Sequence, residues 1–350
     1  MSEATKFSPG IPVEIEKIDK ELGRIWEESG DNQTRASHIN LAVYTEDCSA
    51  IETDTEIIRQ IAQDHACRAI LICADPTAKQ DQVQAWISAH CHVYNAGEHA
   101  VCSEQITFKL EGDTVNALSN IVFSHLDSDL PLYFWWQGEF PQTFQADLWS
   151  WVDRLIFDSH SWQNPNAQFA ILSKIHEEAG DRIILCDLTW TRLLGSRFAF
   201  AQMFDHQDAL KQIGKINEVV IQHAPGHRTA AYLMLGWFAA QLKWELHSIL
   251  GKHTFLNAEG REIHFTLSEK EGACMSLCRL ASSDASFELR REKGSDFFHA
   301  EISLSGAKPV EVALKADRER ITDILLQEIV RGGKHPLYLK ALAKIEPLFH

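Results

Sequence analysis

The run Ala69-Ile70-Leu71-Ile72-Cys73-Ala74 constrains the fold more than any other feature of this chain. Six consecutive apolar residues ending at Asp75-Pro76 describe a strand covered on both faces, as in a parallel sheet lined by helices. Ile39-Asn40-Leu41-Ala42-Val43-Tyr44 has the same character, and Ile57, Ile58 and Ile61 mark a helix between the two runs. Leu132 to Trp136, Arg154 to Asp158 and Ile183 to Asp187 continue the series. Helices are expected through Ala117, Leu118, Ile121 and Val122, and from Phe169 to Ile175. This alternation predicts an α/β domain with a mixed, mainly parallel, Rossmann-like three-layer sheet.

Between residues 83 and 94 the pattern changes to period two. Val83, Ala85, Ile87, Ala89, Cys91 and Val93 alternate with Gln84, Trp86, Ser88, His90, His92 and Tyr94, so this strand has unlike faces. A turn at Asn95-Ala96-Gly97-Glu98 leads to a second strand, Val101 to Leu110. Matching the apolar faces sets Val83 opposite Leu110, Ala85 opposite Phe108 and Ile87 opposite Ile106. The same register sets Cys91 opposite Cys102, either as a disulfide or as two buried thiols.

The segment 1–34 reads as a docking helix opened by Pro12. Its apolar stripe is Ile15, Ile18, Leu22, Ile25 and Trp26, and Gly30 ends it. Residues 35–205 form the α/β domain, and 206–350 an α+β domain. The latter is expected to contain a strand Val219 to Ile221 and a long helix from Ala230 to Leu250. A β-meander follows over Phe255 to Leu267, Ala273 to Leu280, Ser286 to Arg290, Phe297 to Leu304 and Pro309 to Leu314. A terminal helix carries Ile321, Ile324, Leu325 and Ile329.

Composition excludes several functions. Among 350 residues, the formal net charge is -16 without a long basic run. A nucleic-acid partner and an anionic membrane surface are therefore not expected. The N-terminus lacks the basic and apolar regions of a signal peptide. The longest apolar stretch, Ala230 to Ala240, is too short to span a bilayer. The eight cysteines lack the spacing of a secreted disulfide scaffold, so a cytoplasmic chain with mostly reduced thiols is the expectation.

Chemical motifs are sparse. No Gly-x-Gly-x-x-Gly follows a strand. Gly251-Lys252-His253-Thr254 follows a helix, with Leu246 where a phosphate loop needs its first glycine, and reads as a helix cap. Asp158-Ser159-His160 has no nucleophile elbow, and adjacent strand residues point to opposite sides. His90, His92, His99 and Cys102 suggest zinc, yet Cys102 faces away from the first two; no metal and no cofactor is expected. Of Trp135-Trp136, one ring should face each way. Polar residues gather at strand ends: Glu46, Asp47, Asp75, Gln137, Asp158, Ser159, Asp187, Thr189 and Arg192. They read either as a ligand crevice or as helix N-caps.

Six blocks in order resemble the glucose-6-phosphate dehydrogenase assembly protein family, OpcA. They are RASHINLAVY (35–44), HACRAILICADP (65–76), VCSEQITFKLEG (101–112), DLPLYFWWQG (129–138), DRLIFDS (153–159) and DLTWTRLLGSRFAFAQMFD (187–205). Gly195-Ser196 departs from the family, where a Pro-Trp-like pair is expected. The resemblance implies a non-catalytic partner of glucose-6-phosphate dehydrogenase that promotes its active oligomer or activates it allosterically, in the oxidative pentose phosphate pathway. In photosynthetic relatives it implies thiol-linked control, for which Cys91 and Cys102 are the redox candidates.

An activator needs a surface, and Arg35, Trp136, Trp190, Arg192 and Arg197 are the expected partner-binding residues. The rival reading is an enzyme or sensor that holds a small sugar phosphate at the carboxyl edge of the sheet through Arg68, Arg154 and Arg192. A scaffold binding several metabolic enzymes is the third.

Overall fold

The computed structural model describes residues 9–28, 33–92, 100–141, 146–249 and 251–349. The chain divides into two compact units. The first is Met1–Phe157, Ile171–Cys186 and Ile321–Gly333; the second is Asp158–Ala170, Asp187–Arg320 and Lys334–His350.

Among the described residues the first unit is built on nine strands: β1 (Ile11–Val13), β2 (Gln33–Arg35), β3 (Ile39–Thr45), β4 (Cys67–Asp75), β5 (Gln82–His92), β6 (Ala100–Glu111), β7 (Leu132–Trp136), β8 (Arg154–Phe157) and β9 (Ile184–Asp187). They run in the order β1-β5-β6-β4-β3-β7-β8-β9, with β2 beside β6. Pairings from β6 through β8 are parallel, whereas β1 and β5 are antiparallel. The stretch β6-β4-β3-β7-β8-β9 has the 3-2-1-4-5-6 order of a doubly wound sheet. All of β3 and nearly all of β4 are buried, as continuous apolar runs demand.

The hairpin has the register that the alternating faces require: Val83 opposes Leu110, Ala85 opposes Phe108, Ile87 opposes Ile106 and Cys91 opposes Cys102. Its turn lies outside the described residues. Cys91 and Cys102 are joined in a disulfide with Cα atoms 4.0 Å apart. Cys48 and Cys73 are also joined, with a Cα separation of 5.3 Å, while Cys67, Cys186, Cys274 and Cys278 are free. The expectation of mostly reduced thiols is corrected for four of the eight. The Cys48–Cys73 pair was invisible because parallel strands bring together residues separated by a whole crossover.

The N-terminal segment also differs from expectation. Pro12 lies in edge strand β1 opposite Trp86, where a missing N–H is tolerated. The helix starts later, at Ile18–Glu28, and buries Ile18 and Leu22. Polar contacts fix its seat. Trp26 Nε1 donates to Glu104 Oε1 at 2.6 Å, and the Arg68 guanidinium bridges Glu104 at 3.3 Å and Asp19 at 3.1 Å. Gly30 lies outside the described residues.

The second unit carries β10 (Glu218–His223), β11 (Glu245–Ile249), β12 (Lys252–Leu256), β13 (Glu262–Glu269), β14 (Met275–Ala281), β15 (Ala285–Arg290), β16 (Phe297–Leu304) and β17 (Val310–Lys315). Their order is β11-β12-β13-β10-β14-β15-β16-β17. The expected meander is present as β14 to β17. The expected strand Phe255 to Leu267 is instead two strands, broken at a turn where Gly260 has φ +76°. β10 separates β13 from β14 and runs parallel to β13.

The helix Arg228–Gln241 packs on β10 and on the helix Pro336–Ile345. Gly236 permits that approach, since a Cβ there would collide with the Ala341 carbonyl. This helix stops well before Leu250. Trp244 N–H bonds the Ala239 carbonyl at 2.8 Å across Lys243, which has φ +56°, and Trp244 is buried. That is a Schellman stop with lysine in the left-handed seat that glycine usually marks. Gly251 belongs to the turn joining β11 to β12 and caps no helix. Lys243→Gly should raise stability by about 1 kcal/mol, because a Cβ is strained at positive φ. A urea titration showing no gain would contradict this.

Candidate functional site

In a sheet of this order, the ligand crevice lies beyond the carboxyl ends of β3 and β7, where the strand order reverses. Here β3 continues into Glu46-Asp47-Cys48-Ser49-Ala50 and the helix Ile51–Asp64, with no glycine in the connection. Asp47 accepts the Ser49 N–H at 3.0 Å, and Glu52 and Asp54 occupy the first helical turn. Carboxylates therefore take the place that a pyrophosphate would need. Tyr44 and Trp136, opposed on β3 and β7, stack with ring centroids 4.0 Å apart. The Tyr44 hydroxyl donates to Glu46 at 2.9 Å, and Trp136 Nε1 donates to the Glu139 carbonyl at 3.0 Å. Asp54 is 3% exposed; burial and the nearby Asp47 push its carboxyl up to about 6, against the Gln137 amide at 2.9 Å.

The second unit gathers Asp158, Thr189, Arg192 and Asp187. Arg192 grips Asp158 through both terminal nitrogens, at 2.8 and 3.3 Å, and Thr189 Oγ1 donates to Asp158 at 2.7 Å. Burial acts to raise the Asp158 carboxyl, but these donors outweigh it and hold the group below its usual range. Asp187 is fully enclosed. It accepts the N–H groups of Ser159 at 3.2 Å and Thr189 at 2.9 Å, and the Tyr338 hydroxyl at 3.3 Å. Burial and the neighbouring Asp158 charge push its carboxyl up to about 7.

The His160 ring stacks on His227 at 4.1 Å, with its Nδ1 2.8 Å from the Gly226 carbonyl. Burial and the adjacent His160 and Arg192 push His227 down to about 4. Two carboxyls with divergent acidity resemble an acid–base pair. Both, however, cap turns that follow their strands, and their oxygens are engaged by the protein's own donors. Asp47 and Asp75 likewise receive local N–H groups, from Ser49 and Thr77. Capping accounts for these strand-end aspartates.

The proton on Asp187 has a measurable consequence. A carboxyl raised from 3.8 to about 7 on folding contributes stability that is complete below 3.8 and lost as pH rises through about 7. Asp187→Asn keeps an uncharged acceptor for the same N–H groups. The stability of this variant relative to the parent should therefore climb between pH 4 and pH 7, read from denaturant titrations. A difference independent of pH would refute the neutral state.

The residues expected to form a partner surface are mostly internal. Trp136 is 3% exposed, packed by Tyr44, Phe140 and Trp149, and its strand neighbour Trp135 is 5% exposed, so neither ring offers an open surface. Trp190 is 2% exposed beneath the Arg197 guanidinium, which lies 3.6 Å from its ring and donates to the Trp190 carbonyl at 2.6 Å. Trp190 and Arg197 thus brace one another inside the unit. Arg192 is committed to Asp158. Only the backbone of Arg35, in β2, is described.

The three arginines of the phosphate reading have protein partners. Arg68 serves Glu104 and Asp19, and Arg192 serves Asp158. Arg154 is buried, donating to the carbonyls of Arg331 at 3.0 Å and Gly333 at 3.2 Å, with Glu328 at 3.7 Å. In the zinc set, the Cys102 sulfur belongs to its disulfide and His90 Nε2 lies 2.8 Å from Gln105; His99 is outside the described residues. Sequence reading missed Glu104, which lies within the 101–112 block but was given no role, and Glu328 and Asp317, which have no motif around them. Asp317 explains Gly195-Ser196: its carboxylate caps the helix Leu194–Met203 through the N–H groups of both residues and the Ser196 hydroxyl. A Cβ on Gly195 would fall 2.7 Å from Asp317 Oδ1.

Residues 58–174 match a family described as the glucose-6-phosphate dehydrogenase subunit N-terminal domain, and residues 184–342 match the corresponding C-terminal domain. An OxPP cycle protein OpcA from Synechocystis sp. is 30% identical over 190 residues, covering 53% of this chain and 38% of the relative. Its namesake from Synechococcus elongatus is 26% identical over 189 residues, covering 53% and 41%. Both matches take in well under half of the relatives' own length. Among solved structures, an NAD binding oxidoreductase from Klebsiella pneumoniae aligns with TM-score 0.48 and 9% identity, over 90% of this chain and 95% of that one. An aldose-aldose oxidoreductase from Caulobacter crescentus aligns with TM-score 0.46 and 10% identity, over 89% and 96%. Among the described residues, no helix is long and apolar enough to cross a membrane.

Proposed function

The chain belongs to the OpcA family of glucose-6-phosphate dehydrogenase assembly proteins, and from that premise we propose that it is a cytoplasmic, non-catalytic factor that binds glucose-6-phosphate dehydrogenase and promotes its active oligomer in the oxidative pentose phosphate pathway. The observation that carries the non-catalytic reading is the crevice between β3 and β7. Its nucleotide position holds a glycine-free connection, clustered carboxylates and the Tyr44–Trp136 stack. A dinucleotide phosphate there would meet negative charge where it needs N–H donors. The sugar-phosphate alternative is weakened because Arg68, Arg154 and Arg192 already hold protein partners.

An allosteric activator acts through differential affinity, binding the active state of its target more tightly than the inactive one. With Trp136 and Trp190 internal, the aromatic anchors for such contact are Trp151, 59% exposed beside Phe123, and Phe198, 61% exposed. Thiol-linked control through Cys91–Cys102 belongs to the same proposal.

The test is co-purification with the cognate dehydrogenase, followed by kinetics and oligomer analysis with and without this chain, in oxidised and reduced states. Activation that declines in Trp151→Ala or Phe198→Ala locates the surface. An unchanged oligomer and unchanged kinetics in both thiol states, or unaided turnover of a metabolite, would overturn the proposal.

A further inference from the structure

β17 closes one end of the second unit's sheet, and among the described residues no strand pairs with its outer side. It is strongly amphipathic. Val310, Val312 and Leu314 oppose Ile302, Ala300 and Phe298 of β16 and continue their apolar face; Glu311, Ala313 and Lys315 take the other. Yet Val310 is 53% exposed and Val312 45% exposed, whereas Ala300, which opposes Val312, is buried; Ile302 and Leu314 are half-buried. At Val310 and Val312 the apolar stripe of the last strand is therefore left uncovered. An open, amphipathic edge is a template for another strand.

Hydrogen-bond parity shows what fits. The Ala316 N–H bonds the Asp296 carbonyl at 2.8 Å, in register with the β16–β17 pairing. Bonding directions alternate along an antiparallel strand, so the even-numbered residues of β17 address β16. The odd-numbered ones, Glu311, Ala313 and Lys315, turn their N–H and C=O groups outward. A second copy of β17, antiparallel and related by a two-fold axis at Ala313, satisfies all of them. Ala313 then faces Ala313, Glu311 faces Lys315 on both sides of the axis, and Val312 faces Leu314.

Other registers fail. Centring on Val312 would set Lys315 against Pro309, which has no N–H, and Glu311 against Ala313, with no charge pair. A shift by one residue would place apolar against polar faces.

We propose that two copies of this chain associate edge to edge through β17 in that register, extending the sheet across an isologous interface. The proposal is independent of what else the protein binds. Charge reversal tests it, because Glu311 and Lys315 are both exposed in the single chain. Sedimentation velocity over a concentration series should show a dimer for the parent. Lys315→Glu sets two carboxylates against each other twice and should weaken the dimer on the order of tenfold. Glu311→Lys combined with Lys315→Glu restores both pairs and should restore the dimer.

Ala313→Pro removes an outward donor without touching the β16 ladder, and should give a monomer with unchanged circular dichroism. Monomers throughout for the parent, or a dimer indifferent to Lys315→Glu, would overturn the proposal. So would a monomeric parent whose co-sedimentation with the dehydrogenase is broken by Ala313→Pro, since the edge would then serve a different partner.

Discussion

Trp136→Ala is expected to lower the unfolding free energy by about 3–5 kcal/mol, the range for truncating a buried large aromatic. The indole is 3% exposed and touches Tyr44 at 4.0 Å, Trp149 at 5.7 Å and Phe140 at 5.8 Å between ring centroids. Truncation would leave a cavity between β7 and the residues that follow it and would remove the donor to the Glu139 carbonyl. Urea unfolding followed by tryptophan-independent far-ultraviolet dichroism measures the loss. Any fall in dehydrogenase activation should follow the folded fraction, so activation per folded molecule should be unchanged. A variant of parental stability that fails to activate would mean that Trp136 acts as a surface anchor.

Arg154→Met should be about as damaging, costing about 3–5 kcal/mol, because it takes the cation away from an enclosed carboxylate. Arg154 is 2% exposed and Glu328 0% exposed. The same change removes donors from the Arg331 and Gly333 carbonyls and a guanidinium lying 5.2 Å from the Tyr133 ring. Adding Glu328→Leu removes that buried carboxylate as well and should recover a large part of the loss. The single variants and the pair, compared by denaturant unfolding, separate desolvated charge from packing. If Arg154→Met costs under about 1 kcal/mol, the burial of that ion pair does not matter to stability.

These two residues also show the limits of the sequence. Trp136 and Arg154 looked like surface and ligand residues because aromatic and arginine side chains dominate such sites. Both turned out to be internal. Their neighbours explain why: Trp136 sits on a strand between two others, and Arg154 finds its carbonyl and carboxylate partners near residues 328–333. Lys243 is a smaller case. A left-handed helix stop without glycine carries no local mark, so the apolar pattern runs on past the helix end at Gln241.

Local pattern alone determined the parallel core strands and the β5–β6 register with Cys91 facing Cys102, because period and apolar run length are properties of neighbouring residues; the family came from the resemblance of six sequence blocks. Tertiary structure decided the partner of each buried charge, the Cys48–Cys73 pairing and the open edge of β17. Asp317 reaches Ser196 across 121 residues, and Arg154 reaches the Gly333 carbonyl across 179. Such contacts depend on how the chain returns through space, which no spacing along it records.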